Sequence, residues 1–143
     1  MVQVEMNGFK INNLSILNDI KEEGEKKLKN TFDFNVEYDR ESELAFAFLT
    51  EKIEMVGDPK EFYIDLVLEG VFHVTGIKNK NDRKNVHLKL YDALFPYASH
   101  VLSHITLDCG LPGLMIQKHP LELGEVHLGE TPQNKNGKII DMK

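Results

Sequence analysis

The chain has one cysteine, Cys109, and no tryptophan among its 143 residues. A single thiol cannot close an intrachain disulfide, so no disulfide frame holds this fold, which suits a reducing compartment. No apolar run approaches the ~20 residues that a membrane span needs. The opening, MVQVEMNGFK, lacks the basic residues and apolar stretch that mark a secretory signal. The expected place of action is the cytoplasm, without membrane insertion. Positive charge is scarce too. The 17 Lys and Arg against 23 Asp and Glu leave a net charge of −6, and nucleic acid calls for a concentrated basic patch. Nucleic acid is therefore not an expected partner, while a basic protein is allowed. The remainder is ordinary globular usage, 41% hydrophobic and 28% charged, which excludes wholesale disorder and suits one domain with a real core.

The clearest pattern is period two. Residues 31–38, TFDFNVEY, put Phe32, Phe34, Val36 and Tyr38 on one face and Thr31, Asp33, Asn35 and Glu37 on the other. That alternation predicts a strand with one wet face. Residues 44–56 continue as a second long strand, and Gly57, Asp58 and Pro59 signal a turn. A third strand runs over residues 61–77, with Phe62, Ile64, Leu66 and Leu68 opposite Tyr63, Asp65 and Val67. Gly70 within it predicts a bulge or bend. Long strands joined by short turns predict an antiparallel meander. Phe9, Lys10, Ile11 and Leu14, Ser15, Ile16 form short alternating stretches consistent with an earlier strand, and KEEGEKKLKN (residues 21–30) reads as a solvated loop or short helix.

After the polar stretch at residues 78–85 the period changes. Leu94, Tyr97, Ala98, Val101, Leu102 and Ile105 fall on one helical stripe. Pro96 suits a first turn, Gly110 suits a C-terminal cap, and Pro112 stops continuation. Residues 114–117 could add a short strand. From Gly124 the chain is polar and punctuated by Gly and Pro, so residues 1–123 are expected as the domain and 124–143 as a mobile tail.

Chemistry finds no candidate. His100 and His104 lie at i, i+4 with Asp108 a turn further on, but zinc needs three or four ligands and no HExxH pattern accompanies them. A polar helix face is the default, and no metal is expected; paired histidines could still make assembly pH-sensitive. Cys109 has Asp108 beside it, which raises a thiol pKa, so it is read as inert. The Gly110, Leu111, Pro112, Gly113 turn follows a helix and lacks the Lys-Ser/Thr ending of a phosphate loop. Carboxylate pairs such as Glu22 and Glu23 sit in exposed-looking sequence where burial would not separate their pKa values. No catalytic residues and no cofactor are expected.

The stretch YIDLVLEGVFHVTGI (residues 63–77), then LYDALFPYASHVLSHI (90–105) and GLPGLMIQKHPLEL (110–123), resembles the SecB family of export chaperones, including the divergent SecB-like proteins of Gram-positive bacteria. The most specific piece is Leu94, Phe95, Pro96, Tyr97, Ala98, which matches that family's helix start; Gly70, Val71, Phe72 and residues 110–120 match as well. The resemblance implies an α+β fold, a four-stranded antiparallel sheet with one long helix packed across it. It also implies a homodimer or homotetramer, with an interface expected on Leu94, Tyr97, Ala98, Val101, Leu102 and Ile105. The family holds non-native polypeptides in apolar grooves without ATP and hands them to the SecA motor, partly through acidic residues on the exposed sheet. Alignment carries those partner-binding positions to Asp19, Glu23, Tyr63 and Asp65.

Two departures qualify this. The connection after the first strand, KEEGEKKLKN, has none of the aromatics that help form the family's client groove. Its long C-terminal helix is replaced by LELGEVHLGETPQ (121–133), whose Gly, Pro and β-branched residues disfavour one, so the second helix is expected to be short or absent. The scaffold can outlive its task. The alternative is a small-ligand or specific-partner binding module. A closed pocket between helix and sheet would favour it; an open groove would favour polypeptide.

Overall fold

The computed structural model describes residues 2–21, 26–39, 41–57, 61–111, 113, 116 and 133–142. Strands β1 (Gln3–Asn18), β2 (Lys26–Asp39), β3 (Leu44–Met55) and β4 (Phe62–Thr75) precede a 29-residue helix, α1 (Lys80–Asp108), and a strand β5 (Gln133–Met142). The sheet order is β1-β4-β3-β2-β5, with every neighbouring pair antiparallel. The α+β class, an antiparallel sheet of β1 to β4 and the long helix across it are as expected from sequence, and β5 adds a fifth strand. The meander covers β2 to β4, and β1 returns beside β4, which makes a Greek key.

Strict alternation decides which face is core. Along β3, Ala45, Ala47, Leu49, Ile53 and Met55 are buried; along β4, Phe62, Ile64, Leu66, Leu68, Phe72 and Val74 are. From β2 come Leu28, Phe32 and Phe34, and α1 closes the layer with Val86, Leu90, Tyr91, Leu94, Phe95, Ala98 and Leu102. A two-layer core of this kind is the simplest way to cover one apolar sheet face.

Four sequence expectations are corrected. Residues 26–30 belong to β2 and not to a loop or short helix, because Leu28 supplies a buried anchor, 1% exposed, amid the charges. The helix starts fourteen residues before Leu94, so Pro96 lies mid-helix on the solvent side. Asn79 caps the true start: its Oδ1 accepts from the Asp82 N–H at 2.8 Å, while Asp82 Oδ2 accepts from the Lys78 N–H at 3.0 Å. Gly70 makes no bulge, since it pairs in register with Phe9 and Ala47. It makes room instead, because a Cβ there would stand 2.8 Å from Phe72 Cε1 and 2.9 Å from Leu94 Cδ1. Residues 133–142, expected in the mobile tail, form β5 on the edge of β2. The short strand expected at 114–117, the second helix and the boundary at residue 123 lie largely or wholly outside the described residues.

The helix ends as expected. Gly110 adopts φ +82°, its N–H donates to the Leu107 carbonyl, and the Leu111 N–H donates to the Thr106 carbonyl, each at 3.0 Å. This is a Schellman stop, which needs a left-handed residue that glycine supplies without strain.

Candidate functional site: an apolar trough along the free edge

α1 crosses the sheet obliquely. Its N-terminal half sits on β2, where His87 and Tyr91 meet the Phe34 ring edge-on at 5.0 and 5.3 Å and Tyr91 stacks on Phe32 at 5.7 Å. Its middle presses Leu94 onto Gly70 of β4. Its C-terminal half runs beside β1: Tyr97 lies 4.4 Å from the Phe9 ring, and Asn18 Nδ2 donates to the Cys109 carbonyl at 2.9 Å. The helix therefore leaves the inner face of β1 only partly covered.

Two bulges set what that face carries. Register slips between Met6 and Gly8 and again between Ile11 and Asn13. Each extra residue resets the alternation, since side-chain facing has period two. As a result Phe9, Ile11, Leu14 and Ile16 pair with Gly70, Leu68, Leu66 and Ile64, and all four take the helix-side face. Asn12, at the second slip, donates its Nδ2–H to Glu69 Oε1 at 2.8 Å and so fixes the bulge. Phe9, Ile11, Leu14, Ile16 and Tyr97 are each 38–43% exposed. They form an open trough roughly 20 Å long, with β1 as floor and one wall, and Tyr97, Val101 and Ile105 as the other wall. Contiguous apolar residues of this kind on a soluble domain are often a contact surface. Its rim lies on a sheet edge that no strand covers among the described residues.

The expected residues fall into separate groups. Leu94, Ala98 and Leu102 are fully buried in the protomer's own core. Tyr97 is exposed, and Val101 and Ile105 are partly buried. The helical stripe read from sequence thus mixes core and surface, because one α-helical face is wider than one contact. Asp65 and Tyr63 lie on the opposite, outer sheet face, with Asp65 in register with Lys52 and Ser15. Asp19 is brought to the same sheet end, its N–H donating to the Glu61 carbonyl at 2.7 Å; its exposed carboxylate is 3.7 Å from Lys21 Nζ. Glu23 lies outside the described residues. Sequence reasoning did not single out the trough. Its signal was the spacing 9, 11, 14, 16, in which apolar pairs recur every five residues.

Among the described residues no group of three or more His, Cys, Asp and Glu is placed to hold a metal. His100 and His104 are exposed, with ring centroids 4.3 Å apart. Burial, and then the Asp108 carboxylate, push the Cys109 thiol pKa up, away from nucleophilic use. A cleft of about 690 Å³ lies between the β2–β3 turn and the start of α1, lined by residues that include Tyr38, Glu43, Val74, Lys78 and Arg83. Burial takes the Tyr38 hydroxyl up to about 12 against the pull of Arg83, so it stays neutral. This cleft is peripheral, not the closed helix–sheet pocket that a small-ligand module calls for. Two groups in the core carry larger shifts: burial raises Glu51 to about 7 and lowers His87 to about 4. No helix among the described residues is long and apolar enough to cross a membrane.

Comparison with known proteins agrees with the architecture. Residues 11–123 match the family described as preprotein translocase subunit SecB. The protein-export protein SecB of Caulobacter vibrioides is 26% identical over 78 residues, 54% of this chain and 47% of that protein, so the chain spans about half the length of that relative. A SecB-like chaperone of Mycobacterium tuberculosis, solved in complex with an antitoxin peptide, superposes with a TM-score of 0.66 at 11% identity, over 83% of this chain and 88% of that one. A Streptococcus agalactiae protein of unknown function aligns at 15% identity with a TM-score of 0.46, over 82% of this chain and 99% of that one. With a family match over residues 11–123, most of its length, the chain belongs to the SecB family.

Proposed function

We propose that this protein is a SecB-like, ATP-independent chaperone or adaptor that holds non-native polypeptide in the trough between β1 and the C-terminal half of α1. The observation that carries this reading is the exposed row Phe9, Ile11, Leu14 and Ile16, which the two bulges align on one face beside Tyr97. Such a row offers apolar contact at two-residue spacing to any extended segment, without reading its sequence. Each contact is weak. Burying a further ~80 Å² of one side chain at ~25 cal/mol per Å² yields about 2 kcal/mol before ordering costs. Repetition along the trough, and across copies, raises the total by avidity.

Family membership supports a chaperone-type role over an enzymatic one. The role fits a cytoplasmic homodimer or homotetramer in which a second copy meets the exposed side of the Tyr97, Val101 and Ile105 stripe and leaves the row Phe9, Ile11, Leu14 and Ile16 open to the client. The outer sheet face, with Asp19, Tyr63 and Asp65, then remains for a folded partner, the SecA motor in the family's export branch. The peptide bound to the Mycobacterium tuberculosis relative supports polypeptide as the ligand class.

The test is light scattering of an aggregating test protein, without nucleotide, at rising molar ratios of this chain. Suppression near stoichiometric ratios is expected. Unchanged aggregation at tenfold excess rejects the holding role.

A further inference from the structure

Glu51 occupies a helix-facing position in the central strand β3 and is 2% exposed. Its neighbours on that face are Leu49 and Ile53 along the strand, Phe32 across on β2 and Leu66 across on β4. Among the described residues a single hydrogen bond reaches it, with Asn30 Nδ2 donating to Oε2 at 2.8 Å. No salt bridge reaches it among the described residues. An ionised carboxylate in such surroundings is costly, so it takes up a proton or draws in water. Burial raises its pKa from 4.5 to about 7, with the Asn30 bond pulling the other way.

The groups around it divide the helix in two. Over β2 and β3, α1 brings His87 and Tyr91, and β2 brings Asn30; the facing residues of β4 are the aliphatic Ile64, Leu66 and Leu68. Polar side chains thus gather where Tyr91, in the N-terminal half of α1, stacks on Phe32, the β2 residue paired with Glu51. The other half seats Leu94, Ala98 and Leu102 in apolar contact close enough to exclude a methyl group at Gly70. One end of the helix is held by dry, close packing. The other rests beside a carboxyl group that tolerates dryness only when neutral.

We propose that Glu51 is a proton-operated latch on the N-terminal half of α1: neutral, it lets that half seat on β2 and β3, and ionised, it admits water and lifts that half off Phe32 and Phe34. The sign follows from linkage. An acid whose pKa is higher in the closed state opposes closure increasingly as pH rises from 4.5 through about 7. Slightly alkaline conditions therefore uncover the aromatic cluster, and mildly acidic ones cover it.

Amide hydrogen exchange on the intact protein at pH 6 and pH 8, corrected for intrinsic rates, tests this against Glu51→Gln. Glutamine keeps the shape and neutrality of the protonated acid. The ratio of wild-type to variant protection over residues 80–95 is expected to fall roughly tenfold between pH 6 and pH 8. His87 titrates with the opposite sign, but equally in both proteins, so it cancels in the ratio. Amides of β1 and β4 should hold a constant ratio. Glu51→Met, similar in volume and apolar, is a second reference with the same expectation. A pH-independent ratio over residues 80–95 overturns the latch. An equal fall in every strand overturns it too, since Glu51 would then set only global stability.

Discussion

Gly70 shows how one atom positions an element. Its missing Cβ is what lets Leu94 and Phe72 close over β4. Gly70→Ala forces those side-chain ends aside, and overpacking of that kind costs about 1–3 kcal/mol. Urea denaturation should show a lower midpoint with an unchanged slope; an unaltered midpoint would mean the neighbours yield freely. His87 makes a different residue-scale prediction. It is 6% exposed against the edge of Phe34, and burial lowers its pKa from 6.5 to about 4, so the fold keeps it neutral. A base depressed in this way leaves the fold unpenalised above pH 6.5 and destabilises it progressively as pH falls toward 4. The limiting cost is about 3 kcal/mol. Denaturation of wild type and His87→Leu at pH 7 and pH 4.5 reads it as a difference, in which Glu51 cancels. The wild type should lose ground to the variant as pH falls, and an equal response in both would refute the assignment.

Among the elements, α1 and β1 differ in what fixes them. α1 has both ends specified locally, by the Asn79 cap and the Gly110 stop. Asn79→Ala removes the acceptor for the Asp82 amide and should cost about 1 kcal/mol, measurable as a drop in melting temperature. An unchanged melting temperature would show that tertiary packing alone sets the helix start. β1 has its facing fixed by bulges, and this is why its surface was not legible in sequence. Phe9 and Ile11 alternate correctly, as do Leu14 and Ile16, but the slip between the pairs hides that they share a face. The strands at 31–38, 44–56 and 61–77 read correctly because their period is unbroken. The start of α1 did not, because residues 80–85 are all polar and Pro96 drew the boundary toward itself. Glu51 could have been found: Leu49, Glu51, Ile53 and Met55 place a carboxylate on an otherwise apolar strand face. Asp65 faces outward, in register with a lysine, and Glu51 does not.

For the whole molecule, the two sheet faces have opposite characters. The inner face is filled by α1 except along β1, where the trough opens; the outer face presents Phe46, Phe48, Val67 and Val71, half-buried, among Asp33, Glu37, Asp65 and Glu69. Assembly belongs to this scale. Sedimentation at micromolar concentration should show a dimer or tetramer, and Tyr97→Asp should shift it toward the protomer. A protomer in both cases would remove avidity from the holding role. The most direct test of the central claim is the binding of a fluorescently labelled, permanently unfolded polypeptide to wild type and to the pair Ile11→Ser, Ile16→Ser. Both residues are more than 40% exposed, so the fold should survive their replacement. The trough predicts that the wild type binds and that the variant, with an unchanged circular dichroism spectrum, loses at least tenfold in affinity, as two lost apolar contacts of about 1 kcal/mol each imply. Equal affinity in the two proteins would place the polypeptide elsewhere and contradict the account.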